Sequence, residues 1–296
     1  MADIVIFSDQ QQTATSFLGQ NLRTIFGKSI SVRTIDKNGL NHPSTWNVEN
    51  TFLFIVPPIM GEDCDYNEVF TNKISRSEQA FIQKGGISWR ICAGAYHAFK
   101  KIEYTSPTSG EFRQKESSTP LVAGLSFGPL PDLGMPIDPQ NRYSDCIVTP
   151  VNCQIDDTSI EFGSCYGNGC SFKTDDPQVK ILAQYAHDDE LHPAIIERNI
   201  GQGMVIASGI LPHYGHEDHT VEPLQALNAQ LEPYESIRQH FMLALLGRMA
   251  EHAVKIGVIS ESDLASPLNA LPKLQETQND YRKETAMPLR NIACTT

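Results

Sequence analysis

Positive charge is scarce in this chain: 23 lysines and arginines stand against 35 aspartates and glutamates, a formal charge of −12. Such a surface repels phosphate backbones and anionic lipid, which sets nucleic acid and membrane surfaces aside as expected partners. No apolar run approaches the roughly 20 residues that a membrane-crossing helix needs. The start, Met1 to Asp9, has no basic segment ahead of a long apolar one, so it reads as a first strand and not as a secretory leader. Paired cysteine motifs are missing too. Cys64, Cys92, Cys146, Cys153, Cys165, Cys170 and Cys294 make an odd set of seven with no CxxC. That pattern predicts free thiols in a reducing, cytoplasmic setting; a Cys165–Cys170 bridge or a metal site stays open without a signal for it.

What is present is ordinary for a globular protein: 296 residues, 40% hydrophobic and 20% charged, enough to bury a sizeable core. Ile4–Phe7, Ile30–Ile35, Thr51–Val56 and Ile87–Ile91 read as strands. Thr13–Phe26 and Ser75–Lys84 read as the helices between them, with Gly27 and Gly85-Gly86 as stops. Alternating strand and helix predicts parallel crossovers. Residues 103–118 read as a polar surface excursion and 126–142, rich in proline, as an irregular loop. Between Asp145 and Phe172 the period is two, which predicts antiparallel strands. Lys180–Tyr185, Ala194–Arg198 and Gly203–Ser208 read as strands, Gly201-Gln202-Gly203 as a hairpin turn, and Ser236–Met249 as an amphipathic helix. The expected architecture is an α/β, flavodoxin-like, open and mostly parallel sheet with helices on both faces and an antiparallel excursion. Residues 1–250 form its domain and 251–296 a tail that wraps the domain or stays partly disordered.

The chemistry centres on Ile91-Cys92-Ala93-Gly94-Ala95-Tyr96, set between a strand and a helix. A thiol on such an elbow is exposed by a tight turn. The backbone amides that follow, Ala93 first, would lower its pKa and receive a developing oxyanion. The plainer alternative is a small buried apolar side chain.

This segment, with Gly85-Gly86 ahead of its strand, resembles the N-terminal, glutamine-amidotransferase-like domain of eukaryotic-type biotin–protein ligases. Further matches run in order along the chain: the opening strand into Ser8-Asp9 with Leu22-Arg23 in the following helix, Pro43 and Trp46, and Gly61-Glu62-Asp63-Cys64-Asp65-Tyr66. Tyr166-Gly167-Asn168-Gly169 and Gly201-Gln202-Gly203 leading to Ser208-Gly209 follow. The resemblance implies a class I glutamine amidotransferase-like fold with Cys92 as nucleophile. Two positions depart from it. Arg90 stands where the family has glycine, so its guanidinium must lie along the elbow, either disturbing it or bringing positive charge to the thiol. The family's His-Pro-Glu is broken, with Gly215 in the glutamate position. His213 is favoured as base with Glu217 as its orienter; His216 with Asp218 is the second choice. A ligase catalytic half, with its Gly-Arg-Gly-Arg type segment, is not found, so biotinylation is not expected.

Gly61, Asp63 and Tyr66 follow a buried strand, at the sheet edge where ligands of such folds collect. Gly61 would lend its amide to an oxyanion, or is a simple turn glycine. Tyr166 and Asn168 line the same cleft, or serve only their turn. His213, His216 and His219 recur at three-residue spacing, but Pro212 and Gly215 break any helix, and neither a metal nor a cofactor is expected. Two functions follow. One is a cysteine-dependent hydrolase or amidotransferase acting on a small amide or ester. The other is a non-catalytic module that binds a small molecule in the retained pocket.

Overall fold

The computed structural model describes residues 3–8, 13–59, 66–117, 120–130, 132–136, 145–187, 191–214 and 222–275. Its first strands are β1 (Asp3–Phe7), β2 (Val32–Ile35), β3 (Thr51–Val56) and β4 (Ile87–Ile91). Helix α1 (Thr13–Ile25) joins β1 to β2, and α2 (Lys37–Asn41), α3 (Tyr66–Val69), α4 (Asn72–Gln83) and α5 (Ala93–Tyr96) follow in chain order. Then come β5 (Phe99–Thr105), β6 (Phe112–Glu116), β7 (Val122–Gly128), β8 (Cys146–Ile155), β9 (Thr158–Gly167) and β10 (Ser171–Lys173). The chain continues through β11 (Val179–Tyr185), β12 (Pro193–Ile200), β13 (Gly203–Ser208), α6 (Glu222–Leu231) and α7 (Glu235–Lys255).

The main sheet has nine strands in the order β2-β1-β3-β4-β13-β12-β11-β8-β9. It is parallel from β2 to β13 and antiparallel from β13 to β9. The parallel half has the flavodoxin-like strand order, with β13 in the fifth place. Both of its faces are covered, which is why β3 is apolar from Phe52 to Val56 instead of alternating. Leu53 and Ile55 join the core under α1 and α7, while Phe54 and Val56 join the core under α4. Arg248 on α7 is anchored to the buried Glu197 of β12, with Nη2 donating to Oε1 at 2.9 Å and Nε to Oε2.

Several local readings need correction. Residues 103–118 are not only a surface excursion: β5 and β6 pair there, in a second sheet of order β10-β7-β5-β6. Every residue of β6 is exposed, so no core-facing stripe marks it as a strand. Within the second sheet Phe99 of β5 stacks on Phe172 of the edge strand β10 at 4.9 Å between ring centres, and both join the apolar core that holds Ile196 and Val205 of the main sheet. The reading of 126–142 as loop missed the end of β7. Helix α4 starts at Asn72, ahead of the expected Ser75, because Thr71 takes the extended N-cap conformation. The segment beyond Ser260 wraps the domain as far as Gln275: Leu264 bridges to Phe26, Leu274 bridges to Ile155, and both leucines are buried.

Arg90 is the least expected core residue. Its side chain turns to the α4 face, where Nε donates to Glu78 Oε1 at 3.0 Å and Nη2 to Glu78 Oε2. Nη1 reaches the Gly94 carbonyl at 3.3 Å, and the guanidinium lies 4.5 Å from the centre of the Phe70 ring. The charge that sequence reading placed beside the thiol is therefore held by a buried carboxylate. Removing one member of a buried pair strands the other, at a cost of about 3–5 kcal/mol, whereas replacing both with apolar groups is close to neutral. In urea unfolding, Arg90→Met should lose stability on that scale and Arg90→Met/Glu78→Leu should recover most of it. A single variant as stable as wild type would contradict the assigned role of the pair.

Candidate functional site

The elbow forms where β4 ends. Cys92 follows Ile91, the last β4 residue, and its amide donates to the Ser208 carbonyl at 2.7 Å, extending the β4–β13 ladder by one bond. The chain then reverses: Cys92 has φ 51° and ψ −111°. A non-glycine residue there is strained, and such strain concentrates at functional positions. The reversal presses Gly94 against the end of β3, where a Cβ would stand 2.7 Å from the Val56 carbonyl oxygen and 2.8 Å from Val56 Cγ1. Glycine at 94 is what lets the elbow close.

The thiol lies on the opposite side from Arg90. Its Sγ donates to the Gly167 carbonyl at 3.3 Å. Gly167 is a second point of close approach, because a Cβ there would meet Cys146 Sγ at 3.2 Å and Asp145 Oδ2 at 3.7 Å. Asn168, at φ 50°, turns the chain and clasps the surroundings. Its Nδ2 donates to the Met135 carbonyl at 2.8 Å and to Asp145 Oδ2 at 3.4 Å, and its Oδ1 accepts from the Met135 amide at 2.9 Å. The Tyr166 hydroxyl donates to Gly169 O at 2.8 Å and accepts from the Leu130 amide at 3.1 Å. Tyr96 reaches the Asn168 and Gly169 carbonyls, both at 3.2 Å.

These surroundings decide the state of the sulfur. Cys92 is 6% exposed, and its thiol is pushed up from 9.0 to about 12, first by burial, then by the nearby Asp145 carboxylate. The Ala93 amide opposes this by hydrogen-bonding the sulfur, and Cys165 adds to the upward push. The expectation of a lowered thiol pKa is thus reversed. The α5 helix is only four residues long, too short for much of a dipole, and desolvation of a thiolate outweighs one amide. All five described cysteines, Cys92, Cys146, Cys153, Cys165 and Cys170, are free thiols.

Of the residues singled out from sequence, Ala93, Tyr166 and Asn168 come together around Cys92. Tyr66 packs on the α4 side, its hydroxyl donating to Pro57 O at 2.6 Å and its ring meeting Phe7, Phe70 and His97. His213 is 3% exposed; its backbone carbonyl accepts from Asn21 Nδ2 at 3.1 Å. Its Nδ1 has no hydrogen-bond partner among the described residues. Burial, then the Arg238 charge, lowers its pKa from 6.5 to about 3. No hydrogen bond joins its ring to Cys92 among the described residues. Gly61, Asp63, Glu217, and the alternative pair His216 and Asp218 lie outside the described residues. Among the described residues no cluster of three or more His, Cys, Asp or Glu could hold a metal ion. Sequence reading missed Asp145. A single aspartate carries no motif, and only the pairing of Cys146 with Gly167 brings its neighbourhood to the elbow.

The family model for the N-terminal region of biotin-protein ligase matches residues 2–257. The chain belongs to that family. The resemblance carried by the motifs is thereby borne out. An uncharacterized protein of Chlamydia muridarum is 23% identical over 268 residues, covering 86% of this chain and 99% of that protein. A biotin–protein ligase of Schizosaccharomyces pombe is 26% identical over 201 residues, covering 67% of this chain but 30% of the ligase. Among solved structures, a glutamine amidotransferase from Thermotoga maritima aligns over 84% of this chain and 98% of its own, with 10% identity and a TM-score of 0.45. The fold assigned above rests on its own strand order.

The buried imidazoles set an acid limit. His213 and His97 both sit at about 3 against an ordinary 6.5; in His97 the causes are burial, then Arg90 and Lys115. A group depressed in this way contributes stability that is full above 6.5 and is lost as pH falls through that value toward 3. Asp145, raised from 3.8 to about 6 mainly by burial, runs the other way, opposing folding above about 6 and ceasing to do so below its ordinary value. The melting temperature should therefore fall as pH drops below about 6.5, and more gently in His213→Leu. An unchanged slope in that variant would contradict a buried neutral imidazole at 213.

Proposed function

We propose that this chain is a small-molecule-binding module of the biotin-protein ligase N-terminal family, with Cys92 a resting, protonated thiol on the wall of its site. The observation that carries the reading is the thiol itself: buried, donating to the Gly167 carbonyl, and flanked by Asp145. A nucleophilic cysteine needs the reverse, a cationic or basic neighbour that takes its proton. The free thiols and acidic surface support a reducing, cytoplasmic setting, and no helix among the described residues is long and apolar enough to cross a membrane. The ligation in the fission-yeast relative's name belongs to a protein of which this chain covers 30%.

A second reading, cysteine-dependent hydrolysis or amide transfer, is favoured by one feature: the strained backbone at Cys92, with the Ala93 amide directed at the sulfur. The two readings part at Cys92→Ser, which keeps the side chain's size and the elbow. Glutamine, simple amides and biotin serve as probes by thermal shift, with ammonia and acid release measured alongside. A binding module should hold its ligand in both forms, the variant differing by about the worth of one neutral hydrogen bond, ~1 kcal/mol. Product released by wild type and not by the variant would overturn the module reading and establish the hydrolase.

A further inference from the structure

Three acidic side chains are buried among the described residues: Glu78, Glu197 and Asp145. Glu78 holds Arg90, and Glu197 holds Arg248. Asp145, only 7% exposed, has no cation beside it among the described residues. Among the described residues its hydrogen-bond donors are its own backbone amide and one side chain, Asn168 Nδ2, at a long 3.4 Å. The described groups that face it are the thiols of Cys92 and Cys146 and the Asn168 amide, none of them positively charged. Buried carboxylates are ordinarily paired or well hydrogen-bonded, because desolvation penalises an isolated charge heavily. Here a carboxylate with no described counter-charge stands beside the strained elbow.

We propose that Asp145 is a ligand-binding residue, and that the group it takes is a cationic N–H donor, an ammonium or amidinium, seated beside Cys92 and Asn168. The proposal rests on the binding reading above and names its ligand class. Two N–H groups on a positive centre would give Asp145 the counter-charge that no described residue supplies, and charge-assisted bonds of this kind are the stronger ones. A chain of net charge −12 also gathers cations. Burial raises the Asp145 carboxyl to about 6, so it is ionised at neutral pH, and a proton competes with the ligand as pH falls through that value.

Acetamidinium and its neutral isostere acetamide, each titrated by ligand-observed NMR into wild type and Asp145→Asn, test this. Acetamidinium should bind wild type at pH 7.5, and about tenfold more weakly both at pH 5 and in Asp145→Asn, the scale expected for losing a charge-assisted hydrogen bond. Acetamide should not distinguish the two proteins. The variant removes an unpaired buried charge, so its melting temperature should be no lower than that of wild type. Acetamidinium that fails to bind wild type, or binds Asp145→Asn equally well, would overturn the proposal. Acetamide that binds and slows alkylation of Cys92, with no preference for the cation, would sink the ligand class while leaving the binding module standing. Product release by wild type would instead sink the module reading itself.

Discussion

One hydrogen bond, from the Cys92 amide to the Ser208 carbonyl, carries the β4–β13 pairing one residue beyond the strand and into a positive-φ turn. The rest of the site depends on that extension. It holds the residue after a fully buried strand in a conformation that a β-carbon resists, and it swings the thiol across to the Gly167 carbonyl. Close packing keeps the turn from relaxing. Gly94 lies against Val56 on one side, and Cys146 and Asp145 fill the space left by the missing side chain of Gly167 on the other. Arg90 reinforces the elbow from the opposite face of the sheet through the Gly94 carbonyl, with its own charge balanced by Glu78.

The same enclosure that shapes the elbow silences the sulfur. A thiolate at Cys92 would lose its hydration and face a carboxylate, while gaining one amide from a single-turn helix. Desolvation and like charge win over that amide. An elbow is therefore not sufficient for a cysteine nucleophile; the counter-charge decides, and the described charge that acts on this sulfur has the wrong sign. The electrostatics that hold the Cys92 thiol protonated also leave Asp145 without a counter-charge among the described residues, which is what the proposed cationic ligand would supply.

How much of this was legible in the sequence depends on where the apolar residues fall. Thr51–Val56 is apolar on both faces because helices cover both, and Ile87–Ile91 followed by Cys92-Ala93-Gly94 announces its turn through the small residues after it. The two-residue period from Asp145 onward gives the β8–β9 hairpin. By contrast, Phe112–Glu116 is exposed on both faces, so its pairing with β5 leaves no hydrophobic trace. Helix α6 sits just beyond a histidine- and acid-rich stretch that drew attention to metal and triad chemistry. Asp145 was invisible for a physical reason: what sets it apart is that no described residue supplies its counter-charge, and a missing partner has no spacing to read. Local motifs found the elbow; only the register between β8 and β9 found its carboxylate.

The central claim is that Cys92 rests as a buried, protonated thiol. Thiolate absorbance, recorded in the ultraviolet as the difference between wild type and Cys92→Ser across a pH titration, reads that state directly. The account predicts no Cys92 thiolate below about pH 9, the range in which an ordinary free cysteine already ionises. A difference signal with its midpoint at or below about pH 7, where activated cysteines titrate, would contradict it.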